Sequence, residues 1–214
     1  MILSNFEVKF FQQLEAFFKE YSFGLLIEQK QFRKATQNGF QNVIFSITEA
    51  QKEYWIEVNF GIRDEFIEQL AQQFLHTFNV RGNRSSANTL VISFGKFQNL
   101  KYFRFRITDD ESLHITLEEI RQFFKQWGFN FLEEAASLHK IDDLLNDMPA
   151  KPCRYLYNQI HRCFKGVIAA KLTDNNSFTT ITNIYRNFLL KNANDEELLN
   201  FERLISFLHF YNPN

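Results

Sequence analysis

The sequence predicts an α+β protein: an antiparallel sheet of roughly four to six strands with helices packed on one face, followed by an all-helical C-terminal region. Three observations predict it. Apolar and polar residues alternate with period two through 43–48, 54–63 and 102–108. Helical stripes open the chain and fill everything after Asp109. The strand patterns come in runs, not in regular alternation with helices, which argues against a doubly wound parallel sheet.

Ser4 and Glu7 form a capping box for a first helix, whose stripe is Phe11, Leu14, Phe18 and Tyr21. That helix is expected to end near Ser22-Phe23-Gly24, with a strand around 24–32 after it. Gln37-Asn38-Gly39 marks a turn. In the next ribbon Val43, Phe45 and Ile47 alternate with Ile44, Ser46 and Thr48, and Ala50-Gln51-Lys52 is a hairpin loop. Beyond it Tyr54, Ile56, Val58, Phe60 and Ile62 share one face, with Trp55, Glu57, Asn59 and Arg63 on the other.

Asp64 opens a second helix with the stripe Ile67, Leu70, Ala71, Phe74 and Phe78, and the polar loop 81–86 follows. Strands are expected over 90–97 and 102–108. In the latter, Phe103, Phe105 and Ile107 alternate with Tyr102, Arg104 and Arg106. Thr116 and Glu119 read as a capping box, Gly128 as a helix stop, and Asn130 as the cap of the following segment. Three more helical stripes begin near Leu156, Phe178 and Leu198. Met148-Pro149-Ala150-Lys151-Pro152 is the best boundary in the chain, giving an α+β domain at 1–148 and a helical region at 149–214, expected to pack together as one unit.

The composition narrows the function classes. The chain has 27 phenylalanines, which read as core payload in place of Leu and Val, with an aromatic ligand site as the functional alternative. A net charge of −1 provides no global basic field for nucleic acid or an anionic membrane. No apolar run approaches the ~20 residues of a membrane span. The N-terminus turns polar at once, without the apolar core of a signal peptide, so a soluble cytoplasmic protein is expected. Cys153 and Cys163 are expected on one helix, where ten residues span about 15 Å, too far for a disulfide. Two unpaired thiols suit a reducing compartment.

No motif carries chemistry. The five histidines (His76, His114, His139, His161 and His209) form neither a zinc-protease nor a zinc-finger spacing. A nucleophile elbow, a P-loop and a dinucleotide fingerprint are all missing. A metal nuclease would need acid-x-Lys on a strand. Glu57-Val58-Asn59 lacks the lysine, and Glu7-Val8-Lys9 sits on a helix. The sequence therefore calls for no cofactor and no metal, and it leans away from an enzyme.

The polar sheet face is the most informative feature. Trp55, Glu57, Asn59, Tyr102, Arg104 and Arg106 are its expected members. A solvated face, with Glu57 paired to Arg104 or Arg106, is the plain reading. Three functional readings stand beside it. The first is a protein-binding surface, where Trp, Tyr and Arg are the usual anchors. The second is an enzyme site for a small or nucleotide-like substrate at Glu57, Arg104 and Arg106. The third is a single-stranded nucleic-acid platform, which the charge balance and the lack of patterned glycines disfavour.

Residues 1–65 resemble uncharacterised bacterial families known only as domains of unknown function. The resembling features are the opening amphipathic helix, Ser22-Phe23-Gly24, Gln31-Phe32-Arg33-Lys34, and the strand from Trp55 to Ile62. The resemblance brings no activity and no catalytic residues. Small bacterial α+β proteins of this look include antitoxin and immunity partners, an analogy of architecture. A non-catalytic protein-binding module, with another protein as its partner and no membrane, is thus the expected function.

Overall fold

The computed structural model describes residues 4–75 and 87–211. The chain divides into two compact units, Met1–Ile62 with Val91–Glu134 and Arg63–Leu90 with Ala135–Asn214. The division falls at those points, and Met148–Pro152 lies inside the second unit. The fold is α+β, with a six-stranded antiparallel sheet in the N-terminal half and helices predominating after it.

In the first unit, α1 (Asn5–Glu20) begins with the Ser4–Glu7 capping box in both directions. Strand β1 (Gly24–Leu26) leads through one 3₁₀ turn into β2 (Gln31–Thr36), which pairs antiparallel with β3 (Gly39–Ala50). Strand β4 (Glu53–Asp64) returns after a two-residue loop. Gln51 and Lys52 both take positive φ, 54° and 67°, the geometry of a type I′ hairpin turn. The order β1-β2-β3-β4-β5 is completed by β5 (Leu90–Ser93), while β6 (Phe105–Ile107) pairs with β4.

Alternation along these strands sends Phe32, Val43, Phe45, Ile56, Val58 and Phe60 into a core where all six are buried. Phenylalanine dominates it. The Phe18 ring stacks on Phe32 at 4.4 Å and meets Phe45, Phe124 and Phe129 edge-on. Phe60 meets Phe123, Phe124 and Phe131 in the same way. Each such ring contributes about 2–3 kcal/mol of burial, and its edge-to-face geometry adds to that.

Several sequence expectations are corrected here. The strand expected over 90–97 stops at Ser93, whose hydroxyl caps the short α3 (Phe94–Phe97). The strand expected over 102–108 is reduced to β6, and Tyr102 lies outside it with φ 52°. Helix α4 (Asp110–Phe123) starts from an Asp109–Ser112 capping box, with Thr116 buried in its interior. Gly128 does not stop a helix. The chain passes through a π-helical segment (Phe124–Gly128) directly into α5 (Phe129–Ala135), and a Cβ on Gly128 would collide with the Phe124 ring. Here glycine serves ring packing, not termination. Asn130 lies within α5, and Ser137 caps the next helix, α6 (Leu138–Asn146).

The second unit is built around α7 (Gln159–Leu172), whose residues 162–170 are all buried. Helices α2 (Glu65–Phe74), α6, α8 (Phe178–Asn192) and α9 (Asp195–Phe210) pack against it. Residues 166–170 read Gly-Val-Ile-Ala-Ala, a run with no polar side chain to turn outward, so the helix is enclosed on every side. Gly166 is required there, because a Cβ would lie 2.6 Å from Asn146 Oδ1 and 2.8 Å from Tyr185 Cε2. Cys163 is buried in α7, and Cys153 precedes the helix instead of sharing it; among the described residues neither is in a disulfide. Phe78 and the loop 81–86 lie outside the described residues.

Candidate binding face

The hairpin and the short pairing with β6 assemble the polar face. Trp55 is the direct cross-strand partner of Arg106, and Tyr54 and Ile56 pair with Ile107 and Phe105. Paired residues point to the same side of a sheet, so Trp55 and Arg106 share the side opposite Ile56 and Phe105. The Arg106 guanidinium lies 5.8 Å from the Trp55 ring centroid. It also makes a two-pronged ion pair with Glu53, Nε to Oε2 at 2.7 Å and Nη2 to Oε1. Hydrogen bonding from Arg106 holds the Glu53 carboxyl below the usual range, and the same pair raises the guanidinium.

One step along, Arg104 Nε stands 3.6 Å from Glu57 Oε2, and Asn59 Nδ2 donates to Glu57 Oε1 at 3.4 Å. Five of the six expected residues thus form one continuous strip: Trp55, Glu57, Asn59, Arg104 and Arg106. Tyr102 stands apart on the loop before β6, with its side chain fully exposed. Arg104 and Arg106 are each 56% exposed, and each faces a glutamate, so the strip is charge-neutral.

Arg63 departs from the expected pattern. It was expected beside Asn59 on the polar face, yet it is buried in the second unit within an ionic cluster. Its Nε and Nη2 donate to Glu65 at 2.6 and 3.1 Å, and its Nη1 to the carbonyl of Ala87 at 2.8 Å. Glu68, with only 2% of its side chain exposed, accepts from Lys165 Nζ at 2.7 Å and Thr89 Oγ1 at 3.0 Å, with Arg63 Nη1 at 3.7 Å. Lys165 also donates to the carbonyl of Asn88 at 2.7 Å.

Burial pushes the Lys165 ammonium below its ordinary value, against the pull of Glu68. Burial likewise raises Asp64, which caps α2 through the amide of Ile67. The sequence carried a usable signal: Glu68 falls between Ile67 and Leu70 on the buried stripe of α2, and Lys165 opens the uniformly apolar run of α7. A charge at such a position needs a partner.

A second buried network joins α6 to its neighbours. Arg162 Nε and Nη2 donate to the carbonyl of Leu145 at 2.9 and 2.6 Å, capping the end of α6. The Tyr185 hydroxyl donates to Asn146 Oδ1 at 2.6 Å, and Asn146 Nδ2 donates to the carbonyl of Gly166 at 2.8 Å. Beside it lies a cleft of about 550 Å³ lined by Asp142, Asp143, Asp147 and Asn175. Another, of about 410 Å³, opens in the first unit between Phe6, Lys9, Lys52 and Tyr54. Neither includes Glu57, Arg104 or Arg106.

Among the described residues, no group of three or more His, Cys, Asp or Glu is placed to hold a metal ion. No described helix is long and apolar enough to cross a membrane. The fold and face define a two-unit α+β protein with a neutral aromatic–arginine strip on its sheet. Comparison with protein-family models, characterised proteins and solved structures gives no match.

Proposed function

We propose that this chain is a non-catalytic binding protein that presents the outward side of β4 and β6 to a protein partner. One observation carries the reading: Trp55 lies beneath Arg106 in a strip whose arginines are both matched by glutamates. Aromatic and arginine side chains are the common anchors of protein interfaces. A strip that neutralises its own charge has no surplus to release counterions from phosphates, which speaks against a nucleic-acid platform. Exposure of Arg104 and Arg106 leaves these anchors accessible. By analogy of architecture alone, a bacterial immunity or antitoxin role belongs to this class.

The test is affinity purification with the immobilised chain, comparing wild type, Arg104→Ala, Arg106→Ala and a control, Leu190→Ala at an exposed position of α8. A specific protein retained by wild type and control, and lost from the two face variants at unchanged stability, supports the proposal. Equal retention by all four chains overturns it, as does retention of nucleic acid that falls steeply with salt.

A further inference from the structure

We infer that the cleft at the hairpin end of the first unit is a binding site for a small aromatic zwitterion, the chemistry of an aromatic amino acid. It has a volume of about 410 Å³, within the range of small-molecule sites. Tyr54 and Trp55 are successive strand residues, so this cleft lies on the opposite side of β4 from the strip proposed for protein binding. The two sites can therefore be tested separately.

The floor is apolar. Phe6 of α1 and Tyr54 of β4 stack at 3.7 Å with planes 3° apart, and Ile107 and Leu113 are buried beside them. Both rings of the stack are only half-buried. A half-exposed aromatic pair in a concavity offers surface to another flat ring. The rim carries two cations and two anions, Lys9, Lys52, Asp109 and Asp110, so it is charge-neutral as a whole. Asp110 is paired with Lys9 at 2.6 Å, and these two cancel each other.

Lys52 and Asp109 remain, one of each sign. Lys52 has no side-chain ion pair or hydrogen bond among the described residues. Asp109 caps α4, accepting from the amide of Ser112 at 2.8 Å and from the hydroxyls of Ser112 and Thr108 at 2.7 and 3.1 Å. These donors are neutral. They orient the carboxylate and hold its pKa below the usual range, and they leave its charge in place. The strand register sets the two charges against each other. Tyr54 pairs with Ile107 across the antiparallel ladder of β4 and β6. Continuing that register by two residues brings Lys52 across from Asp109, and both line the cleft. A cation and an anion thus flank one aromatic floor. The fitting ligand has a flat ring, a carboxylate for Lys52 and an ammonium for Asp109.

Tryptophan, indole-3-acetate and tryptamine present the same ring with both charges, the anion alone and the cation alone, and they serve as probes. Each is titrated into the full chain at neutral pH, with binding followed by amide chemical shifts. Tryptophan is expected to saturate, with shifts centred on Phe6, Lys52, Tyr54 and Asp109. It should bind about threefold more tightly than either analogue, the size of one solvent-screened charge contact. Lys52→Gln is expected to weaken tryptophan and indole-3-acetate about threefold and to leave tryptamine unchanged. Asp109→Asn keeps the helix cap. It is expected to weaken tryptophan and tryptamine by about the same factor and to leave indole-3-acetate unchanged. Both changes are on exposed side chains, and a general loss of the fold would not give this crossed pattern. The inference is overturned if tryptophan does not saturate, if either analogue binds as tightly, if the shifts centre elsewhere, or if the two substitutions act alike on all three probes.

Discussion

The strip on β4 and β6 and the cluster around Glu68 use the same residue types with opposite consequences. On the strip, Arg104 and Arg106 face Glu57 and Glu53 in water. In the cluster, Arg63 and Lys165 meet Glu68 with all three side chains at 5% exposure or less. Exposed pairs gain little, typically under ~1 kcal/mol, because solvent screens them and ordering two long side chains costs entropy. Buried ions have lost their water and depend on one another. Arginine on the strip therefore keeps its solvent, whereas arginine in the cluster is held by the fold.

The largest expected effect breaks the buried side of this comparison. Glu68→Leu leaves Lys165 without its carboxylate and should cost about 3–5 kcal/mol. A urea titration reads it as a lower midpoint with an unchanged slope. Adding Lys165→Met should restore most of the loss, since a well-packed apolar pair commonly replaces a buried ion pair without penalty. A double variant as unstable as the single one would show that the cluster contributes more than mutual neutralisation.

Next in size is Gly166→Ala, which forces a Cβ against Asn146 and Tyr185 and should cost about 1–3 kcal/mol by overpacking. Arg106→Ala should change stability by less than ~1 kcal/mol in the same titration. If it instead matched Glu68→Leu, the strip would be structural.

The smallest effect concerns acid. Glu65 is held below its usual value of 4.5 by the Arg63 hydrogen bond. A carboxyl with a lowered folded-state pKa adds stability that is present above its unfolded pKa and lost as pH falls through the folded value. Unfolding midpoints measured below pH 4.5 should therefore fall less steeply in Glu65→Gln than in wild type. Asp64 works in the other direction. Its raised pKa favours the folded state at low pH, a share lost as pH rises through the folded value, so it partly offsets Glu65.

How much was legible depended on whether a residue's role was local. The Ser4–Glu7 box, the alternation from Tyr54 to Ile62 and the hairpin at Gln51-Lys52 involve neighbours in sequence, and all are present. The strand at 102–108 is cut short where Tyr102 takes a left-handed backbone (φ 52°), and the stop at Gly128 failed for a packing reason. Residues 102–104 have the alternating letters of a strand, but β6 extends only from Phe105 to Ile107. Gly128 has a stop residue's identity, but its missing Cβ accommodates Phe124. Of the candidate site, the pairing of Trp55 with Arg106 required a register that alternation alone does not fix. Arg63 continues the parity of Trp55, Glu57 and Asn59, and nothing in that pattern announces that the strand's last turn belongs to another core.

By itself, then, the sequence determined the fold class, most element positions and the apolar side of each ribbon. These follow from periodicity and capping, which operate over a few residues. Only the tertiary structure decided which charges are solvated and which are enclosed. Enclosure depends on residues far apart in the chain, as when Lys165 meets Glu68 and the carbonyl of Asn88. The energy of a charge is set by what surrounds it, not by the letters beside it.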